Sequence, residues 1–134
     1  MSESRSITIR NEGDVINARL QTRQMAKDAG LQILDQARIS LAVSSLANVV
    51  QLGGKHQGRI VINRIQEGGR SGVQVVWLLF PGESAPDIIQ SLDTTAWSLM
   101  VDEVEVTTIN DNEICITAVK WAEVRSATLV SSAY

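Results

Sequence analysis

Few residues in this 134-residue chain are of types that could do chemistry, and they are scattered. Gly53-Gly54-Lys55 invites a phosphate-binding reading, because glycines let backbone amides approach an anion and a lysine neutralises it. The segment lacks the spaced glycines and the Ser or Thr after the lysine. It also follows a helical pattern, where a phosphate loop follows a strand, so it reads as a loop turn. His56 has no cysteine or carboxylate at ligand spacing, which makes it a solvated loop residue and leaves no metal site. Ser44-Ser45 has no histidine nearby to act as a base, and a helix is the wrong setting for an activated serine. Cys115 falls in a strand pattern and reads as a small apolar core residue. Asp102, Glu103 and Glu105 form an acidic run in which Glu103 and Glu105 share a strand face, as a solvated edge or a contact patch would.

The elements that must position these residues follow from periodicity. Residues 6–10 alternate as a half-buried strand, and Asn11-Glu12-Gly13-Asp14 breaks it. Val15, Ala18, Thr22, Met25, Ala26 and Ala29 then recur at helical spacing, with Gly30 as the C-terminal cap. A second helix is expected from Asp35, whose carboxylate would cap free amides while Leu34 and Ile39 form a hydrophobic staple across it. Its apolar face is Ile39, Ala42, Val43, Leu46, Val49 and Val50. Residues 51–58, with three glycines, form the exit loop. Residues 59–66 and 73–80 read as strands of a hairpin joined through 67–72. Pro86 suits the first turn of a third helix, whose buried stripe would be Ile88, Ile89, Leu92, Ala96, Leu99 and Met100. Two last strands, 103–109 and 113–121, flank the turn Asn110-Asp111-Asn112.

Composition bounds the classes. The length suggests a single domain over 1–134, ending in a tail over 123–134. With 44% hydrophobic residues, 20% charged residues and a net charge of -3, the chain reads as a globular protein. It lacks the basic excess that bulk nucleic-acid binding needs. The longest apolar run, 73–81, is far below the ~20 residues that span a bilayer, and the first residues lack the pattern of a secretory leader, so the expected address is cytoplasmic. The single cysteine, Cys115, agrees with a reducing compartment.

The second helix reads Asp35-Gln36-Ala37-Arg38-Ile39-Ser40-Leu41-Ala42-Val43-Ser44-Ser45-Leu46-Ala47-Asn48-Val49-Val50. It resembles the nucleotide-binding helix of the RsbT-type switch serine kinases of bacterial partner-switching systems, which have the GHKL ATPase fold. Ala18-Arg19, Arg23, Met25-Ala26-Lys27, Gly30 and Ala118-Val119-Lys120-Trp121 fall in register with family positions. The resemblance implies an α+β, two-layer sandwich of the GHKL (Bergerat-like) type, with a mixed sheet, helices on one face and the order βααββαββ.

The family carries a Glu and an Asn four residues apart on this helix, so that a general base and a magnesium ligand point into one pocket. Those positions are Ser45 and Val49 here, and Asn48 is turned ~100 degrees away. The family's Asp-x-Gly-x-Gly turn corresponds to Leu78-Leu79-Phe80-Pro81-Gly82-Glu83, with no Asp and only Gly82 left. Its glycine-rich lid corresponds to 86–101, which holds no glycine. The expectation is therefore a chain without catalytic residues, cofactor or enzymatic activity that regulates by binding proteins. The resemblance implies as partners a STAS-domain antagonist or a PP2C-type phosphatase. Arg19, Arg23 and an exposed Trp97 are the candidate contact residues, Trp97 otherwise serving to cap the emptied pocket. Two alternatives stand beside this reading. One is a divergent ATP-dependent serine kinase acting on a STAS-domain antagonist through Asp87 or Glu83. The other is a structural module that uses the pocket, made apolar by Val49, Leu79 and Phe80, to dock another chain or a second copy of itself as a homodimer.

Overall fold

Two hydrophobic periodicities, two-residue in the strands and 3.6-residue in the helices, meet on one side of a five-stranded sheet. The computed structural model describes residues 3–110 and 112–123. Along the chain run β1 (Ser4–Ile9), α1 (Glu12–Asp28), α2 (Ile33–Val49), β2 (Gly58–Glu67), β3 (Arg70–Leu79), α3 (Ala85–Ser91), β4 (Glu103–Ile109) and β5 (Glu113–Trp121). Short 3-10 turns at Gly82–Ser84 and Thr94–Trp97 flank α3. The spatial order is β1-β2-β3-β5-β4, and every neighbouring pair is antiparallel. The sheet is therefore not mixed as expected. The cause is connectivity: β2–β3 and β4–β5 are hairpins, the α1–α2 crossover returns β2 antiparallel beside β1, and the α3 crossover carries β4 one position past β3, leaving a gap into which β5 folds back antiparallel to both.

Ile7, Ile9, Ile60, Ile62, Val75, Trp77, Leu79, Ile114 and Ile116 line the helix-covered face and are nearly or wholly shielded from solvent. Register places their neighbours in the strands, such as Asn63, Gln74, Thr117 and Glu105, on the opposite face, which carries no helix. Ile39, Val43 and Leu46 of α2 and Ala18, Met25 and Ala26 of α1 complete the core.

Asn11 caps α1, its side chain accepting from the Asp14 amide at 3.1 Å. The helix ends in a Schellman arrangement: Gly30 at φ 92° donates to Lys27 O, and Leu31 donates to Ala26 O. The β2–β3 loop is tighter than the expected 67–72 link, because Gly68 and Gly69, at φ 59° and 81°, make a two-residue turn that lets both strands run on.

Three local expectations fail where long-range partners intervene. Helix α2 starts at Ile33, with Gln32 as a cap that makes no side-chain bond. Asp35 is buried in its first turn as an ion-pair partner, and Leu34 is 60% exposed, so no staple forms. The third helix stops at Ser91. Leu92 is extended there, and Asp93 accepts from the Thr95 amide at 3.0 Å to open a separate 3-10 turn. That break leaves Leu99 83% exposed and turns Trp97 inward, at 4% exposure, reversing the expected stripe.

Candidate functional site

Helix α2 presents the two positions that the sequence singles out. Its inner face is fixed at three points. The Trp77 indole N–H donates to Val43 O at 3.2 Å, tying the helix centre to β3. At the N-terminal end, Lys120 Nζ of β5 lies 3.6 Å from the Asp35 carboxylate and 3.3 Å from that of Asp102, and Arg38 lies 3.3 Å from Asp35. At the C-terminal end, Gln51 takes φ 58° and Leu52 donates to Ala47 O at 2.8 Å. His56 belongs to this clasp. Its Nδ1 lies 3.1 Å from Val50 O and the residue is half-buried, so it is not the freely solvated loop residue expected.

With the inner face held, Arg38, Ser45 and Val49 fall on one outward flank of α2, since seven and eleven residues are about two and three turns. Ser45 is half-buried and Val49 is 49% exposed. Phe80, just past β3, is 56% exposed, whereas Leu79 is fully buried in the core and takes no part in a surface pocket. Gly82, at φ 61°, makes the turn after Phe80, and its amide donates to Asn112 O at 3.2 Å. Glu83 and Asp87, the carboxylates that follow, are both exposed. Segment 86–101 is filled by α3, the 3-10 turn and the buried Trp97 and Val101, and forms no glycine loop.

The remaining candidates disperse. Arg19 and Arg23 are exposed on α1, while Trp97 is a core residue unavailable as a surface anchor. Gly53-Gly54-Lys55 is a loop packed against α1: a Cβ on Gly53 would lie 3.0 Å from Asn11 O. The acidic run is partly built into the sheet. Asp102 accepts from the Trp121 amide at 2.8 Å, and Glu103 accepts from the Trp121 indole at 2.9 Å. Cys115 is half-buried on the helix-free face. Among the described residues, no three His, Cys, Asp or Glu side chains gather at one point, and no helix is long and apolar enough to cross a membrane.

Sequence reasoning missed a groove of about 340 Å³ between the start of α1 and the end of α2, lined by Val15, Ile16, Ser44, Ala47, Asn48 and Leu52 among others. Its one signal in the sequence is Ile16, an apolar residue outside the core stripe of α1.

No family model matches the chain. A curated relative does: the serine/threonine-protein kinase RsbT of Bacillus subtilis (strain 168), 29% identical over 134 residues, covering 90% of this chain and 98% of that protein. This chain resembles the RsbT-type serine kinases. The match corrects one expectation. The relative aligns over nearly its whole length and is named a kinase, which overturns the reading of a chain with no enzymatic activity. The exchanges at Ser45 and Val49 are two positions within that full-length similarity.

Proposed function

We propose that this chain is an RsbT-like switch protein of a bacterial partner-switching pathway, built on a GHKL-type fold and acting as a divergent ATP-dependent protein serine kinase on a STAS-domain antagonist. The observation that carries the reading is the end-to-end similarity to a named serine/threonine kinase. The alignment spans 98% of that relative's length.

The chemistry asked of the site is the attack of a partner's seryl oxygen on the γ-phosphorus of ATP. The bond from that phosphorus to the β,γ-bridging oxygen breaks, ADP leaves, and the seryl proton passes to a carboxylate. Ser45 cannot be that base at neutral pH. Glu83 and Asp87 follow β3, lie exposed to solvent and remain available to an incoming hydroxyl. Val49 offers no donor atom, so the family's magnesium-ligand position does not fit a metal in this chain, and no step is assigned to protein-held magnesium.

The test is phosphate transfer from labelled magnesium-ATP to a purified STAS-domain protein, read as phosphoserine and paired with thermal unfolding in the nucleotide. A ligand at ~100 times its dissociation constant stabilises the native state by ~2.7 kcal/mol. Phosphoserine on the partner, reduced by Asp87→Asn or Glu83→Gln, is the expected outcome. A folded chain that shows neither a thermal shift nor transfer would overturn the proposal.

A further inference from the structure

The outer surface of the α1–α2 pair combines two properties that a solvated helix layer does not need. It is apolar where it should be polar: Ile16, Leu20 and Leu41 are 56%, 64% and 51% exposed. In this antiparallel pair, joined by a four-residue link, Leu20 and Leu41 fall at the same level. Ile16 lies one turn away, at the groove it lines with Ser44 and Asn48. The surface is also mostly cationic, Glu12 at the groove being the acidic residue that lines it. Between Val15 and Lys27 the chain carries Arg19, Arg23 and Lys27 and no acidic residue, and none occurs between Gln36 and Lys55, in a protein with 15 acidic against 12 basic residues. All three α1 cations are exposed. None of them takes part in an ion pair among the described residues. Ile16, Arg19, Leu20 and Arg23 stand at i, i+3, i+4 and i+7, one helical face on which cations and apolar side chains alternate.

We infer that this face is a docking surface for an acidic amphipathic segment of a partner protein. One apolar side chain of the segment enters the groove beside Ile16, the next ones cover Leu20 and Leu41, and its carboxylates meet Arg19, Arg23 and Lys27. Apolar contact gives the affinity and the unpaired cations select the partner by charge, since a basic segment meets uncompensated like charge. The site lies on the seam with α1, around the helix from the flank of Ser45 and Val49. The inference thus goes beyond phosphoryl transfer and is tested without nucleotide.

The probe is a synthetic Leu/Glu amphipathic peptide of about 15 residues, titrated into the whole ¹⁵N-labelled chain beside its Leu/Lys counterpart and phosphatidylglycerol vesicles. Saturable amide shifts in 16–27 and 41–52 with the acidic peptide alone are expected. Leu20→Asp, and separately Arg23→Glu with Lys27→Glu, should weaken them at least tenfold. Leu20 is mostly exposed, so its substitution leaves the core intact. Raising salt to about 0.5 M should weaken the acidic peptide further, by screening exposed charges. Four results would each overturn the proposal: no saturation at millimolar peptide, equal binding of the basic peptide, shifts elsewhere on the surface, or vesicle binding in place of peptide binding.

Discussion

Lys120 and Asp35 provide the sharpest test of how α2 is held. Their side chains are only 14% and 7% exposed and lie 3.6 Å apart, so each is a largely desolvated charge that depends on the other. Removing one partner of a fully buried pair costs ~3–5 kcal/mol, chiefly because a charge is left unpaired. For Lys120→Met the cost should be lower. Arg38 stays 3.3 Å from Asp35, though 43% exposed, and the free amides of the first helical turn still favour a carboxylate there. An estimate of about 2–3 kcal/mol follows. Asp35→Leu should cost less, about 1–2 kcal/mol, because Lys120 keeps Asp102 at 3.3 Å. The double variant Asp35→Leu with Lys120→Met replaces the pair by apolar contact and should fall within about 1 kcal/mol of the native protein. Urea unfolding of all four proteins at one temperature measures the cycle, with an expected coupling of at least about 2 kcal/mol, because the two single costs together exceed that of the double variant. Single-variant costs that simply add would refute the reasoning. The seating of α2 would then rest on Trp77 and the apolar core alone.

Other outcomes follow from the same geometry. Gly58→Ala should destabilise by about 3 kcal/mol in urea unfolding, since a Cβ there would sit 2.0 Å from Leu78 O and force β2 away from β3. Gln51→Gly should stabilise by about 0.5–1 kcal/mol, relieving a left-handed backbone at the end of α2 that costs a side chain but not glycine. An unchanged or lower midpoint would mean that the Gln51 side chain contributes more than the strain takes away. Restoring both family residues, Ser45→Glu with Val49→Asn, should raise phosphate transfer to a STAS-domain partner by about 10²-fold, the low end of general-base catalysis. No change in initial rate would show that this flank of α2 does not face the nucleotide.

The amino-acid sequence by itself determined what depends on near neighbours. The last two strands are legible residue for residue, because Glu103–Ile109 and Glu113–Trp121 carry a two-residue alternation on either side of an Asn-Asp-Asn sequence. Helix α1 was marked by its 3.6-residue stripe and by Gly30, which alone among common residues takes φ 92° without cost. The spacing of Ser45 and Val49 on one helical flank was equally legible, since four residues on a helix share a side whatever the helix packs against.

Tertiary structure decided everything set by a distant partner. Asp35 has the composition of a helix cap and became instead the ion-pair partner of a lysine 85 positions later, because that lysine arrives on the adjoining strand. Trp97 and Leu99 exchanged their expected environments when Asp93 broke the helix and rotated the residues after it. The sheet is antiparallel throughout because hairpins and crossovers return each strand beside a specific neighbour, which no local pattern encodes. The cationic, apolar face of α1 and α2 exists only once two helices lie side by side. Ile16, Leu20 and Leu41 are isolated oddities in the sequence and become one surface through packing.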